Sequence, residues 1–167
     1  IAAKNLAILP KAVFVANLLG NRGVKHIYTH WGSTTSTMAW IISKLTGIPW
    51  SVTLHRWDIK ENNMLEEKVK SAKFVRCISE NARDEFLNII SRKYENKVKV
   101  IHMGVKVPGK TTEPKINRDF FTIVTPANLL EVKGHKFLVE ACSILIERGV
   151  DGFQCVFYGE GPLNGIL

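Results

Sequence analysis

The chain has 167 residues, of which 46% are hydrophobic and 23% charged; this composition is typical of a globular protein with a packed core and excludes disordered, collagen-like and disulfide-framework classes. Lys or Arg interrupts every apolar segment before about 18 residues, so on this criterion we predict no membrane-spanning helix. The net charge is +8 and uneven: residues 1–118 hold 20 Lys and Arg against 9 Asp and Glu, whereas residues 119–167 hold 3 against 6. A basic first part suits an anionic membrane, a nucleic acid or a phosphorylated substrate.

The first hundred residues predict helices and strands in alternation. A largely buried helix is predicted over 2–19, ended or kinked at Pro10 because proline lacks the amide that a helix interior needs. The remaining elements are strands at 24–30, 50–54, 74–78 and 97–101 and helices at 38–45, 61–71 and 79–92. Strands that alternate with helices imply right-handed parallel crossovers and a doubly wound α/β sheet.

Residues 105–118 are rich in Gly, Pro and Thr without a helical or strand period, which indicates a linker. A strand at 120–125, a helix at 135–148 and a strand at 153–158 then restart the alternation. We therefore predict two Rossmann-like parallel-sheet domains, 1–104 and 119–167, each too short in strands to be complete. The chain starts without Met, so we expect its beginning to be truncated. Gly161-Pro162 predicts the opening of a further helix, so we expect truncation at the other end as well.

Three cysteines, Cys77, Cys142 and Cys155, lie in apolar segments without metal-ligand spacing. We interpret them as small buried side chains in a reducing cytosol rather than as a zinc site or a catalytic nucleophile.

Ligands of open parallel sheets bind beyond the carboxyl ends of the strands. His55 follows a predicted strand there, and Arg56 and Asp58 add a cation and a carboxylate, a combination suited to proton transfer or ligand binding. A histidine with a purely structural role fits the same position. His30 and Ser33 follow another strand, although helix capping also explains the hydroxyl.

Two positions in the second part could approach a phosphate. Lys133 precedes a predicted helix, where an ammonium group and backbone amides can meet an anion, although the same sequence also fits an ordinary loop. Gly159-Glu160-Gly161 resembles the start of a phosphate-binding turn, but the third glycine of a dinucleotide fingerprint is missing, so we expect no nicotinamide cofactor. No P-loop or Gly-x-Ser-x-Gly motif occurs, which excludes the ATPase and hydrolase classes that these motifs define.

An ordered set of short segments extends over nearly the whole chain. Its members are His30–Ser33, Ile48–Pro49 before the strand that ends at His55, Trp57–Ile59, Ser71–Val75, Ile78–Glu80, Val100–Val105, Val132–His135 and Gly159–Pro162. In order and spacing they resemble the retaining nucleotide-sugar glycosyltransferases of family 4, which have the GT-B fold. The resemblance implies that 1–104 is the later part of an N-terminal acceptor-binding domain, that 105–118 is a linker, and that 119–167 opens a C-terminal nucleotide-sugar-binding domain.

The resemblance also implies roles for individual residues. His55 would lie at the reaction centre near the donor sugar. Lys133, with Asn128 where many members have an arginine, would contact the donor diphosphate. The edge of the donor pocket would be formed by Gly159, Glu160 and Gly161. The acceptor side would hold His30, Ser33, Arg56 and Asp58. The resemblance implies no metal and no cofactor, with a nucleoside diphosphate sugar as the donor substrate.

The expected reaction is transfer of a sugar to a saccharide or lipid-linked acceptor with retention of configuration, as in cell-surface polysaccharide synthesis. We expect it in the cytoplasm, with the basic first part contacting the inner face of an anionic membrane. The family's glycine-rich loop and paired glutamates fall outside 1–167, so this piece alone is expected to be inactive.

Two alternatives stay open. Asn128 and Met103 depart from the family's usual residues, which leaves room for a non-catalytic nucleotide- or saccharide-binding scaffold. A nucleic-acid-binding module would also be basic. We disfavour that module and expect no nucleic-acid partner, because the aromatic residues lie mainly in strands predicted to be core.

Overall fold

The computed structural model describes residues 2–20, 22–107, 109 and 120–166. The chain divides into two compact units, Ile1–Val107 and Pro108–Leu167. This division falls within the predicted linker at 105–118, of which residues 108 and 110–118 lie outside the described ranges.

The first unit is a four-stranded parallel sheet with helices between the strands. Its strands are β1 (Ile27–His30), β2 (Trp50–Leu54), β3 (Phe74–Cys77) and β4 (Val98–Val100), paired in the order β1-β2-β3-β4. Its helices are α1 (Ala2–Ala7), α2 (Leu9–Gly20), α3 (Thr34–Thr46), α4 (Arg56–Glu61), α5 (Leu65–Ser71) and α6 (Glu80–Leu87), followed by a 3-10 helix at Arg92–Lys97. The predicted parallel α/β architecture is confirmed.

The strand order runs in one direction along the chain. A doubly wound sheet reverses direction at a switch point, and the four described strands of this unit contain no reversal. The doubly wound arrangement and the GT-B fold therefore stay predictions.

The core of the first unit is built around β2, whose five residues are all buried. A strand buried on both faces is usual for a parallel sheet covered by helices. Trp50, Val52 and Leu54 pack with residues of α4, α5 and α6, among them Val69 and Phe86. The Trp50 Nε1 donates to Ser71 Oγ at 3.1 Å, so the largest core side chain also has a polar partner.

The first two helices differ from the prediction of one largely buried helix. The helix is interrupted at Ile8, two residues before Pro10, as expected from the missing proline amide. Only Ala12 and Ala16 are buried in α2, and none of α1 is, so the predicted burial is wrong.

The segment Ala2–Gly20 is also long and apolar enough, on length and composition alone, to cross a membrane, with 11% of it buried. The core helix of a soluble protein can have the same length and composition. Our exclusion of any spanning helix, which relied on Lys4 and Lys11 interrupting the segment, therefore does not hold.

Two further helix predictions need correction. The helix expected at 61–71 begins as α4 at Arg56, directly after His55, and the chain then turns through Asn62 and Met64, which both have positive φ. The helix expected at 79–92 ends at Leu87. Its predicted cap is confirmed, because Ser79 Oγ accepts from the Ala82 amide at 3.2 Å.

The second unit has two parallel strands, β5 (Phe121–Pro126) and β6 (Phe153–Tyr158). A 3-10 turn at Glu131–Lys133 and helix α7 (His135–Glu147) connect them. Residues 162–166 form turns instead of the predicted helix opening.

Burial differs from the prediction for some small and aromatic side chains. Cys77 is buried as expected, whereas Cys142 and Cys155 are only partly buried. Several strand aromatics are more than half exposed, namely Tyr28, Phe121 and Tyr158. We disfavoured a nucleic-acid partner because the aromatic residues lie mainly in strands predicted to be core. For these three residues that prediction of burial is wrong.

Candidate functional site

His30 and His55 meet at the carboxyl edge of the first sheet. His30 ends β1 and His55 follows β2, its parallel neighbour. Their Nε2 atoms lie 2.6 Å apart and both rings are half-buried. At this distance one nitrogen donates a hydrogen bond and the other accepts it. The structure thus brings together two of the predicted site residues.

Trp31 covers one face of His55. The two ring centroids are 4.2 Å apart with an interplanar angle of 25°, which is a stacked arrangement. Trp31 has a φ of 79°, a left-handed conformation that is a genuine outlier for a bulky residue. Strain of this kind often marks functional sites. The sequence analysis included Trp31 in a motif but gave it no role, although its position at the strand end was a usable signal.

Lys68 holds the turn that carries Trp31. It lies on α5, is 2% exposed, and its Nζ donates to the carbonyl oxygens of Gly32 at 2.9 Å and Ser33 at 3.0 Å. Burial lowers the pKa of Lys68 to about 8, with Glu61 and Asp58 acting in the opposite direction. Sequence analysis missed this residue because a lysine in a charged helix is usually solvated.

Asp58 fixes the start of α4 rather than facing solvent. It is 3% exposed, and its Oδ2 accepts from the His55 backbone amide at 2.8 Å. A Cβ on Gly32 would lie 2.6 Å from Leu54 Cδ2 and 2.9 Å from Asp58 Cβ, so the Trp31 turn packs directly on α4. Asp58 therefore positions the His55 backbone, and its expected place on the acceptor side stays a prediction.

Ser33 contributes its backbone to the site. Its hydroxyl makes no capping hydrogen bond to α3, so the predicted side-chain cap is wrong. Its carbonyl oxygen instead accepts from Lys68 Nζ and from Ser36 Oγ. Thr35 supplies a further bond to the turn, from its Oγ1 to the Trp31 carbonyl oxygen at 2.9 Å.

The environment of His55 favours its neutral form. Burial lowers the pKa of His55, His30 and Arg76 lower it further, and Asp58 opposes them. The Arg76 side chain lies on β3 and donates to the carbonyl oxygens of Ile101 at 2.8 Å and His102 at 2.9 Å. Arg76 thereby holds the segment after β4, a role that the sequence analysis did not identify.

Arg56 lines a separate cavity of about 270 Å³. Its other lining residues come from the end of β3 and the start of α6: Ile78, Ser79, Asn81, Ala82 and Glu85. Arg56 therefore lies next to His55 in the chain but faces another part of the same sheet edge.

In the second unit, the loops that follow β5 and β6 lie side by side. The Leu129 amide donates to the Glu160 carbonyl oxygen at 2.9 Å, and the Ala127 amide to that of Tyr158 at 3.0 Å. A Cβ on Gly159 would lie 2.8 Å from the Ala127 carbonyl carbon, and one on Gly161 2.8 Å from that of Leu129. The structure thus brings Asn128 together with the predicted Gly159–Gly161 segment.

His135 joins this loop pair to α7. It is 2% exposed, its Nε2 donates to the Asn128 carbonyl oxygen at 3.0 Å, and its ring packs edge-on against Phe157. Lys133 ends the preceding 3-10 turn with an exposed side chain. Within the described residues, no hydrogen bond links the Lys133 ammonium to Asn128 or to the Gly159–Gly161 loop.

Across the described ranges, no three His, Cys, Asp or Glu side chains cluster as metal ligands would. No protein-family model matches this chain, and no curated protein sequence matches it either.

Proposed function

We propose that the protein is a glycosyltransferase that moves a sugar from a nucleoside diphosphate donor to a saccharide or lipid-linked acceptor, with retention of configuration. The observation that carries the proposal is the geometry of His55. Its ring lies at the carboxyl edge of a parallel sheet, where such folds bind ligands, with Trp31 on one face and His30 at one nitrogen. The ordered sequence segments that resemble family 4 enzymes support the same reaction class.

The reaction breaks the bond between the sugar C1 and a diphosphate oxygen and forms a bond from C1 to an acceptor oxygen. The acceptor hydroxyl gives its proton to the departing diphosphate oxygen, and the nucleoside diphosphate leaves with the electron pair of the C1–O bond. A neutral imidazole can accept a hydrogen bond from a sugar hydroxyl, and the lowered pKa of His55 favours that form. Trp31, 46% exposed, adds an aromatic surface of the kind that lines ligand pockets.

The second unit supplies the donor side of the proposal. Negative charge develops on the diphosphate as the C1–O bond breaks, and a nearby cation stabilises it. Lys133 is an exposed cation in the segment between β5 and α7. Glycines at 159 and 161 let the loop after β6 pack against the backbone of Ala127 and Leu129, on either side of Asn128, the other residue of the proposed diphosphate contact.

Calorimetric titration with UDP and GDP tests the donor site, using protein expressed from the complete reading frame. We expect saturable binding of one nucleotide and roughly tenfold weaker binding by Lys133→Ala, because a charge-assisted contact is lost. Arg148→Ala removes an exposed cation beyond the other end of α7 and should leave the affinity unchanged.

The outcomes separate the functional classes. A folded protein that binds neither nucleotide would rule out the transferase. Nucleotide binding without transfer to any saccharide or lipid-linked acceptor would favour the scaffold alternative.

Contact with the cytoplasmic face of an anionic membrane is part of the same proposal. It rests on the excess of Lys and Arg in residues 1–118 and on exposed apolar side chains such as Leu6 and Phe14 beside Lys4 and Lys11. Cations and apolar side chains together bind anionic lipid surfaces. Flotation with phosphatidylserine vesicles should show salt-sensitive binding, and its absence would remove the membrane contact while leaving the transferase proposal in place.

A further inference from the structure

We propose that Cys142 and Cys155 form a redox-sensitive thiol pair, which an organic disulfide such as oxidised glutathione converts into a disulfide bond between α7 and β6. Both cysteines are free and only partly buried, and their side chains are in hydrogen-bond contact. The pair lies within the second unit, and its oxidation does not depend on the proposed transfer reaction.

Cys142 lies on the face of α7 that covers the sheet. Of the 13 residues of α7, only His135, Leu138 and Cys142 are not exposed. Spacings of three and four residues place side chains on one face of a helix. His135, at the start of this face, packs edge-on against Phe157 of β6. The face that carries Cys142 therefore packs on β6.

Cys155 lies on the face of β6 that α7 covers. Side chains two residues apart share one face of a strand, so Cys155 and Phe157 lie on the same side of the sheet. Because β5 and β6 are parallel, the helix that joins them runs back against the strand direction. From the contact between His135 and Phe157, Cys142 is two helical turns further on, roughly 10 Å, and Cys155 lies roughly 7 Å back along the strand. The two cysteines thus lie on the same side of that contact, in agreement with their hydrogen bond.

Cys77 differs from this pair in both position and exposure. It lies in the first unit and is 0% exposed. The thiolate is the reactive form of cysteine, and burial raises the pKa of Cys77 to about 12. Cys77 therefore stays a thiol and serves as an internal reference for the accessible pair.

The reaction is thiol–disulfide exchange in two steps. The Cys142 thiolate attacks one sulfur of oxidised glutathione, forms a mixed disulfide and releases one glutathione thiolate. Cys155 then loses its proton, and its sulfur attacks the Cys142 sulfur of the mixed disulfide and releases the second glutathione. Two cysteine thiols are oxidised and one glutathione disulfide is reduced, and the two cysteine protons end on the two glutathione sulfurs.

The contact between the two thiols sets the order of these steps. Burial, and after it the neighbouring Cys142, raises the pKa of Cys155, so Cys155 keeps its proton and Cys142 attacks first. Cys155 is then adjacent to the mixed disulfide and resolves it, as the second cysteine of many redox sensors does. In a cytosol that keeps thiols reduced, such a bond is transient and reports a rise in oxidised glutathione.

Mass spectrometry of protein equilibrated with mixtures of reduced and oxidised glutathione tests the pair, using protein expressed from the complete reading frame. As the share of oxidised glutathione rises, we expect the folded protein to lose the mass of two hydrogen atoms. Peptide mapping should show one bond that joins Cys142 to Cys155, with Cys77 still a thiol. Reduced glutathione in excess should restore the starting mass.

Single variants separate the two roles. Cys155→Ala should stop at the mixed disulfide and accumulate one bound glutathione on Cys142. Cys142→Ala should take up glutathione about tenfold more slowly than Cys155→Ala, because the remaining thiol keeps its proton. Ser143→Ala is the matched control, because Ser143 is an exposed neighbour of Cys142 on α7, and it should form the disulfide like the wild type.

A second probe needs no variant. Phenylarsine oxide bonds to two neighbouring thiols through its arsenic, and its oxygen leaves as water with the two thiol protons. The folded wild type should bind it at Cys142 and Cys155 and should then resist oxidation by glutathione disulfide. The thiol pair is overturned if the folded wild type forms no Cys142–Cys155 bond even in oxidised glutathione alone, if it accumulates the mixed disulfide as Cys155→Ala does, or if the arsenical does not bind these two residues.

Discussion

The Nε2 atoms of His30 and His55 lie 2.6 Å apart across neighbouring parallel strands. Two protonated imidazoles at this distance would repel each other in a partly buried site. His30 is accordingly one of the causes that lower the pKa of His55, second to burial.

We predict that His30→Gln raises the pKa of His55 towards its ordinary value of 6.5. Burial is the largest cause of the lowered pKa and stays in the variant, but the contribution of His30, the second cause, is removed. An NMR titration of the His55 ring proton measures the shift. His26→Gln is the control, because His26 contacts Ser51 and is not among the groups that shift His55. An identical His55 titration in wild type and His30→Gln would contradict the coupling.

The same pKa shift has a consequence for stability. His55 has a lower pKa in the folded than in the unfolded state, so below about pH 6.5 the unfolded chain binds more protons. Because protonation of His55 then favours the unfolded chain, the free energy of unfolding decreases as the pH falls. Urea unfolding at neutral and at acidic pH should show that the free energy of unfolding decreases less in His30→Gln than in the wild type.

We predict that Lys68 makes the folded state more stable as the pH rises from about 8 to 10.5. Its pKa is about 8 when folded, against 10.5 for an ordinary lysine, so within this interval only the unfolded state holds the proton. The free energy of unfolding of the wild type should rise relative to that of Lys68→Met by up to about 3 kcal/mol. Chemical denaturation of both proteins across this range measures the difference.

Lys44→Met controls for loss of a lysine, because Lys44 is an exposed residue of α3. Its curve should run parallel to that of the wild type. Parallel curves for wild type and Lys68→Met would show instead that Lys68 titrates like a solvated side chain.

The sequence was sufficient to place His30 and His55 at the carboxyl ends of two strands, although it did not predict that their side chains meet. Each follows a strand, and the carboxyl ends of parallel strands share one edge of the sheet. The role of Lys68 could not be read in the same way, because its partners Gly32 and Ser33 lie 36 and 35 residues earlier. Only the packing of α5 beneath the turn brings the ammonium to these carbonyl groups.

Helix boundaries and burial were less predictable for a similar reason. The start of α4 at Arg56 depends on the Asp58 carboxylate reaching back to the His55 amide, a local contact that the hydrophobic pattern does not show. The exposure of α2 depends on which elements cover it, and an apolar sequence does not specify its neighbours.

We predict that Gly32→Ala destabilises the first unit by about 1–3 kcal/mol, the usual range for an overpacked core. The new Cβ would lie 2.6 Å from Leu54 Cδ2 and 2.9 Å from Asp58 Cβ, both on buried residues that cannot move aside freely. Gly104→Ala is the control, because nothing lies within 4 Å of its Cβ position. Thermal unfolding compares the two variants, and equal midpoints would contradict the close packing of the turn on α4.

We predict that Gly159→Ala separates the two loops of the second unit and weakens nucleotide binding. The added Cβ would clash with the carbonyl oxygen of Ala127 and lie 2.8 Å from its carbonyl carbon. Since this obstacle is backbone, relief requires the loop itself to move. The hydrogen bond from the Leu129 amide to Glu160 should weaken, and hydrogen exchange of the Leu129 amide should become faster.

Gly152→Ala is the matched control in the same unit, because its Cβ would meet nothing within 4 Å. In the Gly152→Ala variant, the Leu129 amide should exchange its hydrogen at the wild-type rate. The variant should also bind UDP or GDP with the wild-type affinity. If Gly159→Ala speeds exchange but leaves nucleotide affinity unchanged, the loop pair is a structural contact and the donor site lies elsewhere. If both measurements match the wild type, the two loops tolerate a side chain at this point and their close approach is not required for either property.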